Sequence, residues 1–141
     1  MESSLIELSR YRFERAKEDL NTAKSNLQNG HYKASINRSY YAVFHGLRAV
    51  NALYQFDSRK HSGVIAFFNK EIVKSGLIDK EASSIIATTY RLREKADYDD
   101  FYVASSEQAN KQYESAVKFL ALIQPFLEVQ WNNSDLLKYI R

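Results

Sequence analysis

Cysteine is absent from the 141 residues, so disulfides, thiolate zinc sites, iron–sulfur clusters and cysteine nucleophiles are all excluded. One proline and four glycines leave few places where a helix is forced to stop, and long helices are expected. Gly-rich phosphate loops, alternating strand patterns, internal repeats and low-complexity tracts are missing too. No stretch approaches the roughly 18 apolar residues of a membrane span. The opening "MESSLIELSRYRFERAKEDL" carries charge throughout and lacks the apolar centre of a signal peptide, so a cytoplasmic location and no membrane contact are expected. The chemistry left to this chain belongs to His, Arg, Tyr and carboxylates.

Hydrophobic residues make up 45% and charged residues 26%, the balance of one soluble domain with a real core. A net charge of +3 admits a polyanionic partner without demanding one. Ten tyrosines and eight phenylalanines are more telling, because a tyrosine can pack its ring while its hydroxyl meets water or a ligand.

Hydrophobic spacing marks the elements. Phe13, Ala16, Leu20, Ala23 and Leu27 share one helical face, and Gly30 supplies the stop. A second periodic stretch runs from His31 to about Tyr54. A third covers roughly Lys60 to Lys74, closed near Gly76, with Asp57 or Ser58 available as its cap. Asp79 can cap a fourth, which bears Ala82, Ile85, Ile86, Thr89, Leu92 and Ala96 and runs into "ADYDDF". Ser105 and Gln108 fit a capping box for a fifth, whose stripe is Ala109, Tyr113, Ala116, Leu120, Ile123 and Leu127. Pro125 is expected to kink or weaken its end. The fold class is all-α: an antiparallel helical bundle of about five helices over residues 1–130, with residues 131–141 a C-terminal tail able to add a short helix.

The second helix raises the functional question. With about 100° per residue and Ile36 at zero, Tyr40, Val43, Leu47, Val50 and Tyr54 form a core stripe, while Arg38 and His45 lie at about 200° and 180°. Tyr41, Ala42, Ala49 and Ala52 surround them, so this helix is apolar or small nearly all round and both faces should be covered. The second cover is another helix of the bundle or a second copy of the chain; the alanines and Tyr41 favour a homodimer built on this helix. An unpartnered buried arginine would cost about several kcal/mol. Either Arg38 meets a carboxylate of the bundle and His45 a backbone carbonyl, or the pair faces a cleft, an anion or its own copies.

Four stretches in order, "RSYYAVFH", "FDSRKHSGVIAFFNKEIVKSGLIDKE", "LREKADYDDF" and "SSEQANKQYESAVKFL", make the chain resemble a small stand-alone HEPN-domain protein over about residues 8–124. Many such proteins carry an arginine, four to six residues and a histidine, which Arg38 and His45 match with six between them. The resemblance implies an all-helical dimer whose two motifs share a cleft. It also implies metal-independent cleavage of RNA, often by a toxin paired with a minimal nucleotidyltransferase antitoxin. Other members are non-catalytic modules that bind nucleotide or the nucleotidyltransferase. Ser39 follows the motif arginine where Asn, Asp or His often stands. Leu47 occupies the place of a tyrosine that the antitoxin modifies in one subgroup, so that control is not carried across.

On this reading Arg38 clamps the phosphate and His45 moves protons, with no cofactor and no metal. Tyr41, Asn37 and Ser39 are candidates for contacting substrate. In "SRKHSG", Lys60 and His61 stand at a helix start, where they could meet an RNA backbone or form a solvated loop with His61 packing inward. Asp97, Asp99 and Asp100 lack the other ligands of a calcium loop; Asp97 is expected to pair with Arg93, and Tyr98 to pack between helices.

Overall fold

The computed structural model describes residues 3–140, with side chains through Asn133. The elements are α1 (Ser3–Gln28), α2 (Tyr32–Ala52), α3 (His61–Phe67) widening into a π-helical stretch (Phe68–Val73), α4 (Glu81–Tyr98) and α5 (Ser106–Ile140). No strand occurs among the described residues, and the architecture is the all-α bundle that the periodicity predicts. No helix among them is long and apolar enough to cross a membrane.

α2 is the axis of the bundle, with α1, α4 and α5 all packed on it. Ile36, Tyr40, Val43, Leu47 and Val50 are fully buried along one side, as the wheel requires. Gly46 lets α5 come close: a Cβ there would stand 2.8 Å from Leu120 Cδ2 and 3.1 Å from Ile123 Cδ1. α1 contributes Ile6, Phe13 and Ala16 to the same core. It stops at Gly30, whose φ of 77° is one that side chains resist. Asp79 accepts from the Glu81 N–H at 2.8 Å at the start of α4. Ser105 accepts from the Gln108 N–H at 3.1 Å at the start of α5. Only half of that capping box forms, because the Gln108 side chain is taken by the Tyr102 hydroxyl.

Several expectations are corrected. Ala42, Ala49 and Ala52 are buried within the chain itself. Their cover is supplied from within the bundle, where the buried Ser9 of α1 donates to the Ala49 carbonyl at 2.7 Å, so these alanines offer no surface to a second copy. Tyr54 is 41% exposed rather than in the core, since α2 ends two residues earlier. Tyr98 is 68% exposed instead of packing between helices. α5 continues through Pro125, which sits on the exposed side with Ala121, the residue whose carbonyl loses its helical donor, also facing water. The boundary placed at residue 130 falls inside α5. Trp131 packs edge-on to Phe13 at 5.9 Å and donates to Ser9 Oγ at 2.9 Å, which fastens the far end of α5 to α1. The side chains of the tail beyond Asn133 lie outside the described residues.

Candidate active site

Once α1, α4 and α5 have covered α2, one strip of it remains partly open: Ala34, Asn37, Arg38, Tyr41, His45 and Arg48. Positions 34, 38, 41, 45 and 48 alternate steps of four and three, the spacing of a single helical face. Beyond Tyr32 and Lys33 at the start of α2, the polar and aromatic residues that it can offer to a ligand lie on this line or, like Asn37, beside it, flanked by α1 and α4.

Asp19 of α1 organises the middle of this line. Its Oδ1 accepts from Arg38 Nη1 at 3.1 Å, and its Oδ2 stands 3.6 Å from His45 Nε2. That second oxygen is buried and has no hydrogen-bond donor. An Nε2–H on the neutral imidazole would be aimed at an acceptor that nothing else serves. Of the two structural readings of the pair, the carboxylate for Arg38 is present, whereas His45 faces Asp19 rather than a backbone carbonyl. Arg38 also donates from Nε and Nη2 to Asn37 Oδ1 at 3.1 and 2.9 Å, which leaves two of its five N–H groups uncommitted. Its side chain is 37% exposed, so those groups reach the open strip.

Asn37 links this cluster to α4, donating to Asp97 Oδ2 at 2.9 Å. Asp97 also pairs with Arg93 Nε at 2.9 Å, as the i, i+4 spacing predicts. Arg93 in turn donates to the Tyr41 hydroxyl at 3.1 Å. Tyr41 lies under two guanidinium groups, Arg38 at 4.9 Å and Arg93 at 5.4 Å from its centroid. Its ring is thus held in place by two cation–π contacts and the hydrogen bond from Arg93.

The other predicted residues fall elsewhere. Ser39 is fully buried with no partner for its hydroxyl, so it does not face the strip; the wheel turns it beneath, towards the core. Lys60 is exposed on the loop before α3. His61 packs inward: its ring stacks on Phe44 at 4.0 Å and its Nδ1 meets the Tyr40 hydroxyl at 2.8 Å.

Residues that the sequence reading missed set the electrostatics. Burial holds His45 well below its ordinary value, at about 4, and Arg15, Arg48, Arg38 and Arg12 push in the same direction. The imidazole is therefore neutral near pH 7. Burial raises the Asp19 carboxyl, against the pull of Arg38 and Arg15. Arg12 and Arg48 share Asp57, each at 3.1 Å from its Oδ2. Four arginines against two aspartates leave an excess of positive charge around one neutral histidine. The i, i+3 and i, i+7 repeat of Arg12, Arg15 and Asp19 on α1 is a readable signal, but it becomes a site only once α1 is known to lie along α2.

A strip that presents a neutral base, a partly free guanidinium and surplus arginines has the chemistry to meet a phosphate ester. A UPF0332 protein of Thermotoga maritima is 33% identical over 114 residues, covering 81% of this chain and 86% of the relative. UPF0332 protein PH1297 of Pyrococcus horikoshii is 32% identical over 114 residues, covering 81% and 77%. "Putative toxin MJ0605" of Methanocaldococcus jannaschii is 39% identical over 83 residues, covering 59% of this chain and 62% of the relative. The family model described as HEPN domain matches residues 9–126, which takes in all of α2 and the strip, and the chain belongs to that family.

Proposed function

We propose that the protein is a metal-independent endoribonuclease that cleaves RNA by attack of a 2′-hydroxyl on the adjacent phosphate, and that it is the toxin of a toxin–antitoxin pair. The observation that carries the reading is the pairing of Arg38 with a neutral His45 around Asp19 on the one open line of α2. His45 takes the 2′-hydroxyl proton as the oxygen attacks phosphorus. Arg38 neutralises the charge that grows on the non-bridging oxygens. The bond to the 5′-oxygen breaks as a proton is returned to it, giving a 2′,3′-cyclic phosphate and a 5′-hydroxyl. Burial and the arginines hold His45 neutral, and the growing negative charge offsets the arginines, so the imidazolium is best tolerated in the transition state. A second histidine, from a second copy of the chain, takes up a proton as the bound phosphate offsets the surrounding arginines, and returns it to the 5′-oxygen. Tyr41 is placed to contact a base or ribose.

The toxin reading draws support from two relatives of Methanocaldococcus jannaschii whose names include the word toxin. A minimal nucleotidyltransferase as antitoxin is the partner that fits it, and a short reading frame for one beside this gene would support the pair.

Purified protein incubated with RNA in EDTA should yield fragments ending in 2′,3′-cyclic phosphate. His45→Ala should abolish them, a loss of about 100-fold or more. Arg38→Ala strands the buried Asp19 carboxylate and is expected to cost about 1 kcal/mol of stability as well as activity. Arg38→Lys separates the two effects: it keeps a cation on Asp19 but removes the planar fork, so activity should fall at a nearly unchanged Tm. Wild-type protein that leaves diverse RNAs intact, with and without magnesium, would overturn the enzyme reading and leave a non-catalytic nucleotide-binding module.

A further inference from the structure

At the corner where α2 passes into α3, a cavity of about 520 Å³ is lined by Phe44, Arg48, Asp57, Ser58, Arg59 and His61. It begins at Arg48, one turn beyond His45, or about 5 Å along the helix. That step is comparable with one nucleotide of a single strand. The open line of α2 therefore runs straight into it.

The lining is rich in donors. Tyr40 is fully buried and its hydroxyl has one hydrogen-bond partner among the described residues, His61 Nδ1. The phenol must give its proton there, because a hydroxyl with a single partner donates to it rather than keep a buried O–H unpaired. His61 is then the Nε2–H tautomer. Stacking on Phe44 fixes the ring, so its remaining polar edge is an N–H donor. Ser58 Oγ accepts from the Lys60 N–H at 3.2 Å, which leaves its own proton to donate. Gly63 keeps this loop tight, since a Cβ there would stand 2.7 Å from Ser58 Oγ. Arg59 is exposed and makes no ion pair among the described residues. Arg48 donates to Asp57 at 3.1 and 3.3 Å. Asp57 is half exposed, with its side chain at 53%, and serves Arg12 as well. One carboxylate thus balances Arg12 and Arg48 while Arg59 has none.

We propose that this cavity is a second phosphate subsite, which takes the phosphodiester next to the one held by Arg38 and His45. The proposal rests on the ribonuclease reading above. Arg48, Arg59, the His61 Nε2–H and the Ser58 hydroxyl donate to the phosphate oxygens. Asp57 is the internal counter-ion that gives up Arg48 when the strand arrives. RNA is thereby gripped on both sides of a single turn of α2, and a phosphate bound here fixes which bond lies against His45.

The probe is a 2′-O-methyl RNA hexamer with 5′- and 3′-hydroxyl ends, which cannot be cleaved and carries only internal phosphates. Its affinity for the full chain is measured by fluorescence anisotropy over a range of salt. Arg59→Ala should weaken binding about tenfold and make the salt slope shallower by about 0.7, the value of one lost contact to a single strand. Asp57→Asn should tighten binding by a similar factor, because it removes the competing carboxylate. If Asp57→Asn does not fold, Arg59→Ala decides alone, since it alters an exposed loop side chain. Unchanged affinity and slope in the variants would overturn the subsite. Adenosine 5′-monophosphate that competes as well as the hexamer would also overturn it, by assigning the cavity to a terminal phosphate. Failure to cleave any RNA would remove the ribonuclease reading without disturbing this measurement, because the probe does not depend on turnover.

Discussion

His45 owes its state to neighbours that no local pattern announces. Arg38 and His45 are legible as an unusual pair on α2, and Arg93 with Asp97 as an i, i+4 pair on α4. Asp19, Arg12 and Arg15 are not, because charged residues on the first helix read as a solvated face until its direction against α2 is known. Ser39 and Tyr41 show the same limit: both follow Arg38 closely, but a helical turn of about 100° per residue sends one into the core and leaves the other on the strip. The depressed histidine has a thermodynamic signature. In the unfolded chain it titrates near 6.5, and in the folded protein at about 4. Between those values the unfolded state binds the proton and the folded state does not, so stability is lost as pH falls from about 6.5 towards 4. The urea midpoint of the wild type should drop between pH 7 and pH 5 by more than that of His45→Gln. His61, also lowered by burial, contributes equally to both proteins and cancels in the comparison. Two-dimensional NMR of the imidazole should place the His45 midpoint near 4, and inorganic phosphate should move it upward by offsetting the arginines. A midpoint above 6 without phosphate would show that burial and the arginines together do not hold the imidazole neutral.

Helices rather than loops carry almost everything that positions the strip, and they are the part of the fold most visible beforehand. Starts and stops at Gly30, Asp79 and Ser105 are fixed by local chemistry, a left-handed glycine in one case and side-chain acceptors in the others. What the periodicity of α2 leaves open is the identity of its second cover. Small residues at Ala42 and Ala49 admit either an intrachain helix or a second chain, and α1 wins because it is the tethered one, joined through a turn of only a few residues. Pro125 illustrates the same gap between local rule and tertiary context: a missing donor on the exposed side is served by water, and Trp131 secures the helix beyond it. Gly46 tests the packing that aligns α2 with α5. Alanine there gains about 1 kcal/mol of helix propensity while pressing on movable side-chain ends, so its net effect is small. Leucine cannot be absorbed beside Leu120, Phe119 and Ile123, and Gly46→Leu should lower stability by about 3 kcal/mol in denaturant titration. RNA cleavage at low temperature should fall with it, as the neighbouring strip of α2, with His45 one residue away, loses its support.

At the scale of the whole molecule, one strip carries one histidine, whereas the proposed reaction needs a proton removed and a proton returned. A two-fold axis over α2 would place two strips face to face and supply both. Such a dimer does not rest on the alanines, which α1 covers; it rests on the line from Ala34 to Arg48, whose four-three spacing is that of a helix seam. It also brings two sets of arginines together, an arrangement that is unfavourable until an anion lies between them. Association should therefore strengthen with phosphate or RNA, and sedimentation equilibrium should show a dimer dissociation constant that falls as phosphate is added at constant ionic strength. The sharper test mixes the wild type with an inactive chain. In a composite site that draws one histidine from each copy, a dimer of wild type and His45→Ala holds one histidine and lacks the other. After subunit exchange at fixed total chain, activity should fall as the square of the wild-type fraction, to about a quarter when the two chains are equal, where an independent site in each chain would leave about half. If activity stays at half while labelled subunits are seen to exchange, Arg38 and His45 must act within the same chain, and the returned proton must come from another group on that strip.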